Sequence, residues 1–154
     1  MMKTSQAGID LIKKFEGCKL TPYKDAVGLL TVGYGHRIED ADNRTYTQEE
    51  VDEFLRSDLA RFEHGVLTYI TVPLTSNQFD SLVCFSYNLG IGTLQRSTLR
   101  QKILSGDGEG AAKEILKYDK AGGVVLKGLT RRRQAEYQLF TRIDPITDTS
   151  TSDT

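Results

Sequence analysis

The segment from Lys19 to His36 is the feature that most constrains the fold of this chain, because its composition excludes a continuous helix. One proline and three glycines interrupt it, namely Pro22, Gly28, Gly33 and Gly35. The short runs between them are rich in residues that favour strands, namely Leu29, Leu30, Thr31, Val32 and Tyr34. Runs of this kind, bounded by glycine or proline, are typical of strands joined by turns. We therefore predict a small antiparallel sheet near the N-terminus.

Most of the remaining chain shows the periodicity of amphipathic helices. Thr47 and Thr75 each open a capping box, because Glu50 and Gln78 stand three residues after them. The segment after Thr75 is apolar almost all round, which predicts a buried central helix. Further helices are predicted from Ser97 or Thr98 to Gly106, over Glu109–Tyr118 and from Gly128 to Phe140, with a flexible loop at Ala121–Gly123. The predicted fold class is α+β, mostly helical, with the small sheet in an N-terminal lobe.

The length of the chain, 154 residues, is enough for one domain with a substantial core. We assign residues 1–142 to that domain and residues 143–154 to a flexible tail, disordered beyond Ile146, because the tail is rich in Thr, Ser and Asp. No apolar run approaches the roughly 20 residues of a membrane span. The start of the sequence also lacks the apolar core of a signal peptide. We therefore expect no stable membrane insertion, and a cytoplasmic protein unless another agent releases it.

The two cysteines, Cys18 and Cys84, are too few for a disulfide framework. Both have apolar neighbours, so we expect buried, reduced thiols that serve packing rather than a disulfide.

Charge is unevenly distributed along the chain. Nine acids and three arginines lie between Glu39 and Glu63, whereas eleven basic residues and five acids lie between Arg96 and Arg142. Two interpretations remain open: solvated helix faces, or a basic face that concentrates the protein on an anionic polymer. Nucleic acid is not the expected partner, because the basic residues are not interleaved with aromatic ones.

Glu16 occupies an unfavourable position for a carboxylate. The first helix is predicted to begin after Ser5, a candidate N-cap, and to end at Gly17. Glu16 then lies in the last turn, where the helix dipole disfavours negative charge by roughly a few tenths of a kcal/mol or more. Local conflicts of this kind tend to mark functional residues.

Asp25 follows Glu16 after nine residues, and Thr31 follows Asp25 after six. Hydrolysis of a glycosidic bond needs one protonated carboxyl as general acid and one ionised carboxylate to handle water or the sugar cation. The spacing alone leaves alternatives open: Glu16 as a surface acid, Asp25 as a turn former and Thr31 as an ordinary strand residue.

At these residues the chain resembles the phage-type lysozymes, the endolysins of glycoside hydrolase family 24. The resemblance runs from about Ser5 to Phe140, with its motifs in the expected order. They are Phe15-Glu16-Gly17, Tyr23-Lys24-Asp25, Thr31-Val32-Gly33-Tyr34-Gly35-His36, Val72-Pro73-Leu74-Thr75, Gln78 to Val83, Tyr87-Asn88-Leu89-Gly90, Ser97-Thr98-Leu99, Ala121-Gly122-Gly123 and Gly128 to Glu136. One departure is Tyr118, which stands where many relatives carry Trp before the Gly-Gly loop; this chain contains no Trp.

The resemblance implies a two-lobed lysozyme-like domain that cleaves bacterial peptidoglycan between N-acetylmuramic acid and N-acetylglucosamine, for host cell lysis. Glu16 would be the general acid, and Asp25, helped by the Thr31 hydroxyl, would activate the attacking water. The family is regarded as inverting, which requires roughly 6.5–9.5 Å between the carboxyl groups.

Further positions take roles from the same resemblance. Arg37, Tyr87, Asn88 and Thr98 are expected to line the sugar groove, although Tyr87 is equally compatible with the core. Arg132 is expected to reach Glu16 across the cleft, whereas solvated positions are expected for Arg131 and Arg133. His36 has two interpretations, a catalytic base or, as we favour, a structural residue paired with a carboxylate.

The expected protein is thus a monomeric muramidase that needs no metal and no other cofactor and is released to the cell wall by a holin-type membrane lesion. A lytic transglycosylase, which needs only the acid, and a cleft that binds glycan without cutting it are the rival hypotheses. The presence of Asp25 and Thr31 beside Glu16 favours hydrolysis over both.

Overall fold

The computed structural model describes residues 1–40 and 44–144. Seven helices and five short strands follow one another in these ranges. The helices are α1 (Gln6–Glu16), α2 (Gln48–Tyr69), α3 (Ser76–Leu89), α4 (Ile91–Gln95), α5 (Thr98–Leu104), α6 (Gly108–Ile115) and α7 (Lys127–Thr141). The strands are β1 (Lys19–Lys24), β2 (Leu30–Gly33), β3 (His36–Arg37), β4 (Lys120–Ala121) and β5 (Val124–Val125).

The predicted N-terminal sheet is confirmed. Strands β1, β2 and β3 form an antiparallel sheet in that order, with Tyr23 opposite Thr31 and Val32 opposite His36. The register shifts between Lys19 and Tyr23, which is the signature of a bulge in β1. Of the predicted catalytic residues, Thr31 lies in β2 and Asp25 in the turn between β1 and β2.

The predicted helix caps are confirmed as well. The side chain of Ser5 caps α1, and both Thr47 and Thr75 form complete capping boxes at the starts of α2 and α3. A lost cap of this type typically costs about 1 kcal/mol. Local sequence therefore determines where the helices that flank the sheet begin.

The core of the helical lobe surrounds α3, which packs against α1, α2 and α7. Its residues Phe79, Leu82, Val83 and Phe85 are completely buried, as expected for the central helix. The long helix α2 packs against β2 and β3 and also against α3 and α4. It thus connects the sheet to the helical lobe.

Several sequence expectations need correction. The segment Ala121–Gly123 is part of a hairpin rather than the predicted flexible loop. Ala121 pairs with Val124, and the two residues between them, Gly122 and Gly123, both have positive φ. Helix α4 was not predicted, because a five-residue helix that contains Gly92 has too little periodicity to be detected. Cys18 is exposed, whereas Cys84 is buried as predicted, and both thiols are free.

Cys18 stands in the short connection between α1 and β1, outside both elements, which accounts for its exposure. Of the predicted tail, residues 145–154 and the expected disorder beyond Ile146 lie outside the described residues. Among the described helices, none combines the length and the apolar character that crossing a membrane would require.

Candidate active site

The predicted catalytic residues meet in a cavity of about 500 Å³ between the sheet and the C-terminal end of α3. Glu16, Asp25 and Thr31 all line it, as do Arg37, His36, Tyr87 and Asn88. Four further lining residues belong to motifs quoted above but were given no role, namely Tyr23, Gly35, Leu89 and Gly90. The others, Asp58, Arg61 and Phe62, lie within the regular pattern of α2, which gave no signal.

Thr98 is the predicted site residue that the structure does not bring to this cavity. It is an exposed residue at the start of α5 and is not part of the cavity wall. The expectation that it lines the sugar groove therefore has no geometric support. A larger cavity of about 680 Å³ lies at the N-terminal end of α3, and no predicted site residue lines it.

Glu16 is the last residue of α1, and its side chain retains 18% of its exposure. The helix ends there because Gly17 takes a φ of 68° and donates its N–H to the carbonyl of Lys13. Arg132 donates from Nη1 to Oε2 of Glu16 at 2.7 Å, as predicted. Oε1 faces Gly35, where a Cβ would approach it to 3.1 Å at a φ of +85°. Glycine at position 35 therefore keeps the second carboxyl oxygen accessible.

Asp25 lies in the turn that joins β1 to β2. Its Oδ1 accepts hydrogen bonds from the backbone N–H groups of Val27 and Leu29, at 3.0 and 2.8 Å. No residue in the described ranges donates to Oδ2. The carboxylate is thus held by one oxygen, while the other is available to a water molecule.

Thr31 is buried in β2, and its hydroxyl donates to the carbonyl of Leu29 at 2.8 Å. Because the only hydroxyl proton is used in this bond, the Thr31 oxygen meets the cavity as an acceptor.

Two tyrosines complete the walls near the carboxylates. Burial, followed by the negative charges of Glu16 and Asp25, raises the pKa of Tyr23. Burial also raises the pKa of Tyr87, with further contributions from Asp58 and Glu16, and its hydroxyl donates to the carbonyl of Tyr34 at 2.5 Å. Both phenols therefore remain neutral hydrogen-bonding groups at ordinary pH.

His36 pairs with a carboxylate, in agreement with the structural interpretation. Its Nδ1 lies 2.9 Å from Oδ2 of Asp58, and its ring stacks on Phe54 with 4.1 Å between the centroids. Both partners belong to α2, so the imidazole fixes β3 to that helix. The side chain is committed to this contact, which favours a structural role over that of a catalytic base.

Behind Glu16, a buried cluster of charges links α7 to α3. Arg132 contacts Glu136 as well as Glu16, with its Nε 3.2 Å from Oε2 of Glu136. Its Nη2 donates to the carbonyl of Cys84 at 3.0 Å. Arg133 is completely buried, so its predicted solvated position is wrong, whereas Arg131 is exposed as expected.

A second cavity, of about 490 Å³, lies on the other side of Glu16. Its walls are formed by α1, Asn88 and the start of α7, with apolar residues Phe15, Leu126 and Leu129. Glu16 and Asn88 thus line both cavities. Within the described part of the chain, no cluster of three or more His, Cys, Asp or Glu side chains has the geometry to hold a metal ion.

Comparison with known proteins agrees with this architecture. The family model described as "Phage lysozyme" matches residues 13–136. The chain is 43% identical over 142 residues to an endolysin of Bacillus phage B103, covering 90% of this chain but 54% of that protein. It is 40% identical over 143 residues to an endolysin of Acyrthosiphon pisum secondary endosymbiont phage 1, covering 90% and 98%. The chain thus spans about half the length of its Bacillus phage relative.

Among solved structures, the fold is similar to a muramidase domain of SpmX from Asticaccaulis excentricus. The TM-score is 0.86 at 34% sequence identity, over 93% of this chain and 100% of that one. The predicted α+β, mostly helical, lysozyme-like fold is therefore confirmed. Since the family model covers most of the chain, including the segment that brings Glu16, Asp25 and Thr31 together, this chain belongs to the phage lysozyme family.

Proposed function

We propose that this protein is an endolysin, a glycoside hydrolase that cleaves the β-1,4 bond between N-acetylmuramic acid and N-acetylglucosamine in bacterial peptidoglycan. The observation that carries the proposal is the asymmetry of its two carboxyl groups. Glu16 is largely buried and paired with Arg132, whereas Asp25 lines the same cavity, is held through Oδ1 and has an available Oδ2. An acid and a water-activating carboxylate that face one cleft are the requirements of glycosidic hydrolysis.

In this mechanism, Glu16 donates the proton on Oε1 to the glycosidic oxygen as the bond from that oxygen to the anomeric carbon breaks. Arg132, 2.7 Å from Oε2, stabilises the carboxylate that remains. Water attacks the anomeric carbon from the opposite face and passes a proton to Asp25. The products are a free hydroxyl on one sugar and an α-anomer on the other, and solvent restores the starting protonation of both carboxyl groups.

Thr31 is proposed to act on the same water as an acceptor, because its own proton is given to Leu29. The walls at Arg37, Tyr87 and Asn88 are proposed to contact the sugars. We propose no metal and no other cofactor for this reaction, and a monomer as the active form.

Product analysis tests the proposal against both rival functions. Purified peptidoglycan is digested with the protein, and new reducing ends and product masses are measured. We expect ordinary reducing muramic acid ends, whereas 1,6-anhydromuramic ends would identify a transglycosylase. Tight binding without new ends would identify a glycan-binding protein.

Variants of the general acid extend the same assay. Glu16→Gln is expected to reduce the release of reducing ends by about 100-fold or more, since general acid catalysis typically contributes about 10²–10⁴-fold. The matched control is Glu49→Gln, which changes an exposed acid in the first turn of α2 and should leave the rate unchanged. Activity of Glu16→Gln within a few-fold of wild type would contradict the assignment.

We further propose that the protein accumulates in the host cytoplasm and reaches the cell wall through a holin-type membrane lesion. Expression in a bacterial host without a holin should leave cells intact, and co-expression with one should cause lysis. Lysis without a holin would contradict this part of the proposal and leave the muramidase assignment unaffected.

A further inference from the structure

The side chains of Glu16 and Asn88 stand at the junction of the two cavities. Among the described residues, these two line both the cavity of about 500 Å³ that contains Asp25 and the cavity of about 490 Å³ beside α1. A glycan that occupied both cavities would therefore pass Glu16 and Asn88.

A continuous series of contacts joins these two side chains through the protein interior. Arg132 bridges Glu16 and Glu136, and Arg133 bridges Glu136 and Asn88. The Nη2 atom of Arg133 donates to Oδ1 of Asn88 at 2.8 Å and to Oε2 of Glu136 at 3.0 Å. Glu16 and Asn88 are thus held by Arg132 and Arg133, which are neighbours in α7.

The guanidinium of Arg133 makes further contacts besides its bond to Asn88. Its Nε lies 2.7 Å from Oε1 of Glu136, and its Nη1 donates to the carbonyl of Tyr118 at 3.3 Å. The group also lies over the ring of Phe85, 5.3 Å from the centroid, and it has no solvent exposure. Arg133 therefore cannot turn away from Asn88 without losing several contacts.

A guanidinium donates hydrogen bonds and cannot accept them, so the atom that Asn88 presents to Arg133 must be its oxygen. The NH₂ group of Asn88 is then the part left for the cleft. We propose that Arg133 is a positioning residue, which fixes the Asn88 amide so that Asn88 offers N–H donors to a sugar acceptor oxygen beside Glu16. Carbonyl oxygens of N-acetyl groups and hydroxyl oxygens are the acceptors that such a site selects.

This inference rests on the proposed function and predicts a specific coupling between two positions. In kinetics on soluble, purified glycan strands, Asn88→Ala and Arg133→Met should each reduce kcat/KM by about 3- to 10-fold, as expected for one lost hydrogen bond. Once Asn88 is alanine, Arg133 has no amide to orient. The double variant should therefore be no more than about twofold worse than Asn88→Ala alone.

Stability separates positioning from a merely structural role. Arg133→Met should destabilise the protein in both backgrounds, because its contacts to Glu136 and Tyr118 are lost in each, and by somewhat less with alanine at position 88, where the bond to Asn88 is already absent. Ile115→Val, a fully buried change in α6 away from both cavities, is the control for destabilisation and should leave kcat/KM unchanged. If Arg133→Met does not fold, Arg133→Lys, which keeps a positive charge beside Glu136 but loses the planar group that contacts Asn88 and Tyr118 together, is used in the same cycle.

Multiplicative effects of the two changes on kcat/KM would overturn the inference, since Arg133 would then act independently of Asn88. Unchanged activity of Arg133→Met would overturn it as well. A wild-type protein that releases no reducing ends would instead contradict the proposed function. The two failures are therefore distinguishable.

Discussion

Arg132 and Glu16 are 116 residues apart in sequence, yet Nη1 of Arg132 donates to Oε2 of Glu16 at 2.7 Å. This contact joins α7, the last helix, to the C-terminal end of α1, the first. The Arg132 side chain is only 5% exposed, and the Glu16 side chain 18%. The proposed general acid of α1 is therefore held by a residue of α7.

Arg132→Lys should lower both stability and activity. Lysine keeps the charge but loses the planar group that contacts Glu16, Glu136 and the Cys84 carbonyl together. We expect a loss of about 1–3 kcal/mol in the free energy of unfolding, the cost of leaving a buried acceptor such as the Cys84 carbonyl without its donor. Urea denaturation measures this loss.

The matched control for Arg132→Lys is Arg56→Lys, since Arg56 is an exposed residue of α2 paired with Glu53. Its effect should stay within about 0.5 kcal/mol. Equal effects of the two substitutions would contradict the role given to Arg132.

Thr31 provides a test of the water-activating side of the cleft. Thr31→Ser keeps the hydroxyl that donates to Leu29, and Thr31→Val removes it from a buried site of nearly the same shape. We expect Thr31→Val to lower kcat by about tenfold or more, and Thr31→Ser to stay within about threefold of wild type. Rates of reducing-end release at saturating substrate measure this difference; similar rates for both variants would argue against a role for the hydroxyl.

The buried thiol of Cys84 should make stability decrease at alkaline pH. Burial, followed by the charge of Glu136, raises the pKa of Cys84 well above its ordinary value. The folded protein then holds this proton more tightly than the unfolded chain does. The stabilisation is complete below the unfolded pKa, about 8.5, and decreases above it by up to about 1.4 kcal/mol per pH unit.

Unfolding free energies at pH 7, 8.5 and 9.5 test this dependence. The wild type should lose more stability than Cys84→Ala over this range, although the variant starts lower because it creates a small cavity. A thiol reagent should modify only the exposed Cys18 in the folded protein and both cysteines after unfolding. Parallel pH curves, or rapid modification of Cys84 in the folded state, would contradict the burial of this thiol.

The helix boundaries were predictable because the signals that set them are local. Ser5, Thr47 and Thr75 cap their helices through bonds to residues three positions away. Gly17 likewise ends α1 by its own positive φ. The motifs within residues 15–36 also identified Glu16, Asp25 and Thr31 as candidate catalytic residues, and all three line one cavity in the structure.

Features that depend on distant partners were not predictable in the same way. Arg133 stands in a triplet of arginines, and only contacts to distant residues such as Asn88 of α3 and Tyr118 distinguish it from the exposed Arg131. Asp58 looks like an ordinary acid of an amphipathic helix until His36 of β3 is placed beside it. Conversely, Thr98 belongs to a matching motif, yet α5 places it away from the cleft.

The anomeric form of the first product tests the central claim most directly. Peptidoglycan strands are digested at high enzyme concentration, and ¹H NMR spectra are recorded before mutarotation equilibrates the reducing ends. If Glu16 is the acid and Asp25 activates water on the opposite face, the α-anomer of the muramic acid end appears first. Initial release of the β-anomer, or of an anhydro end, would contradict the assignment of Asp25 as the residue that directs water to the sugar.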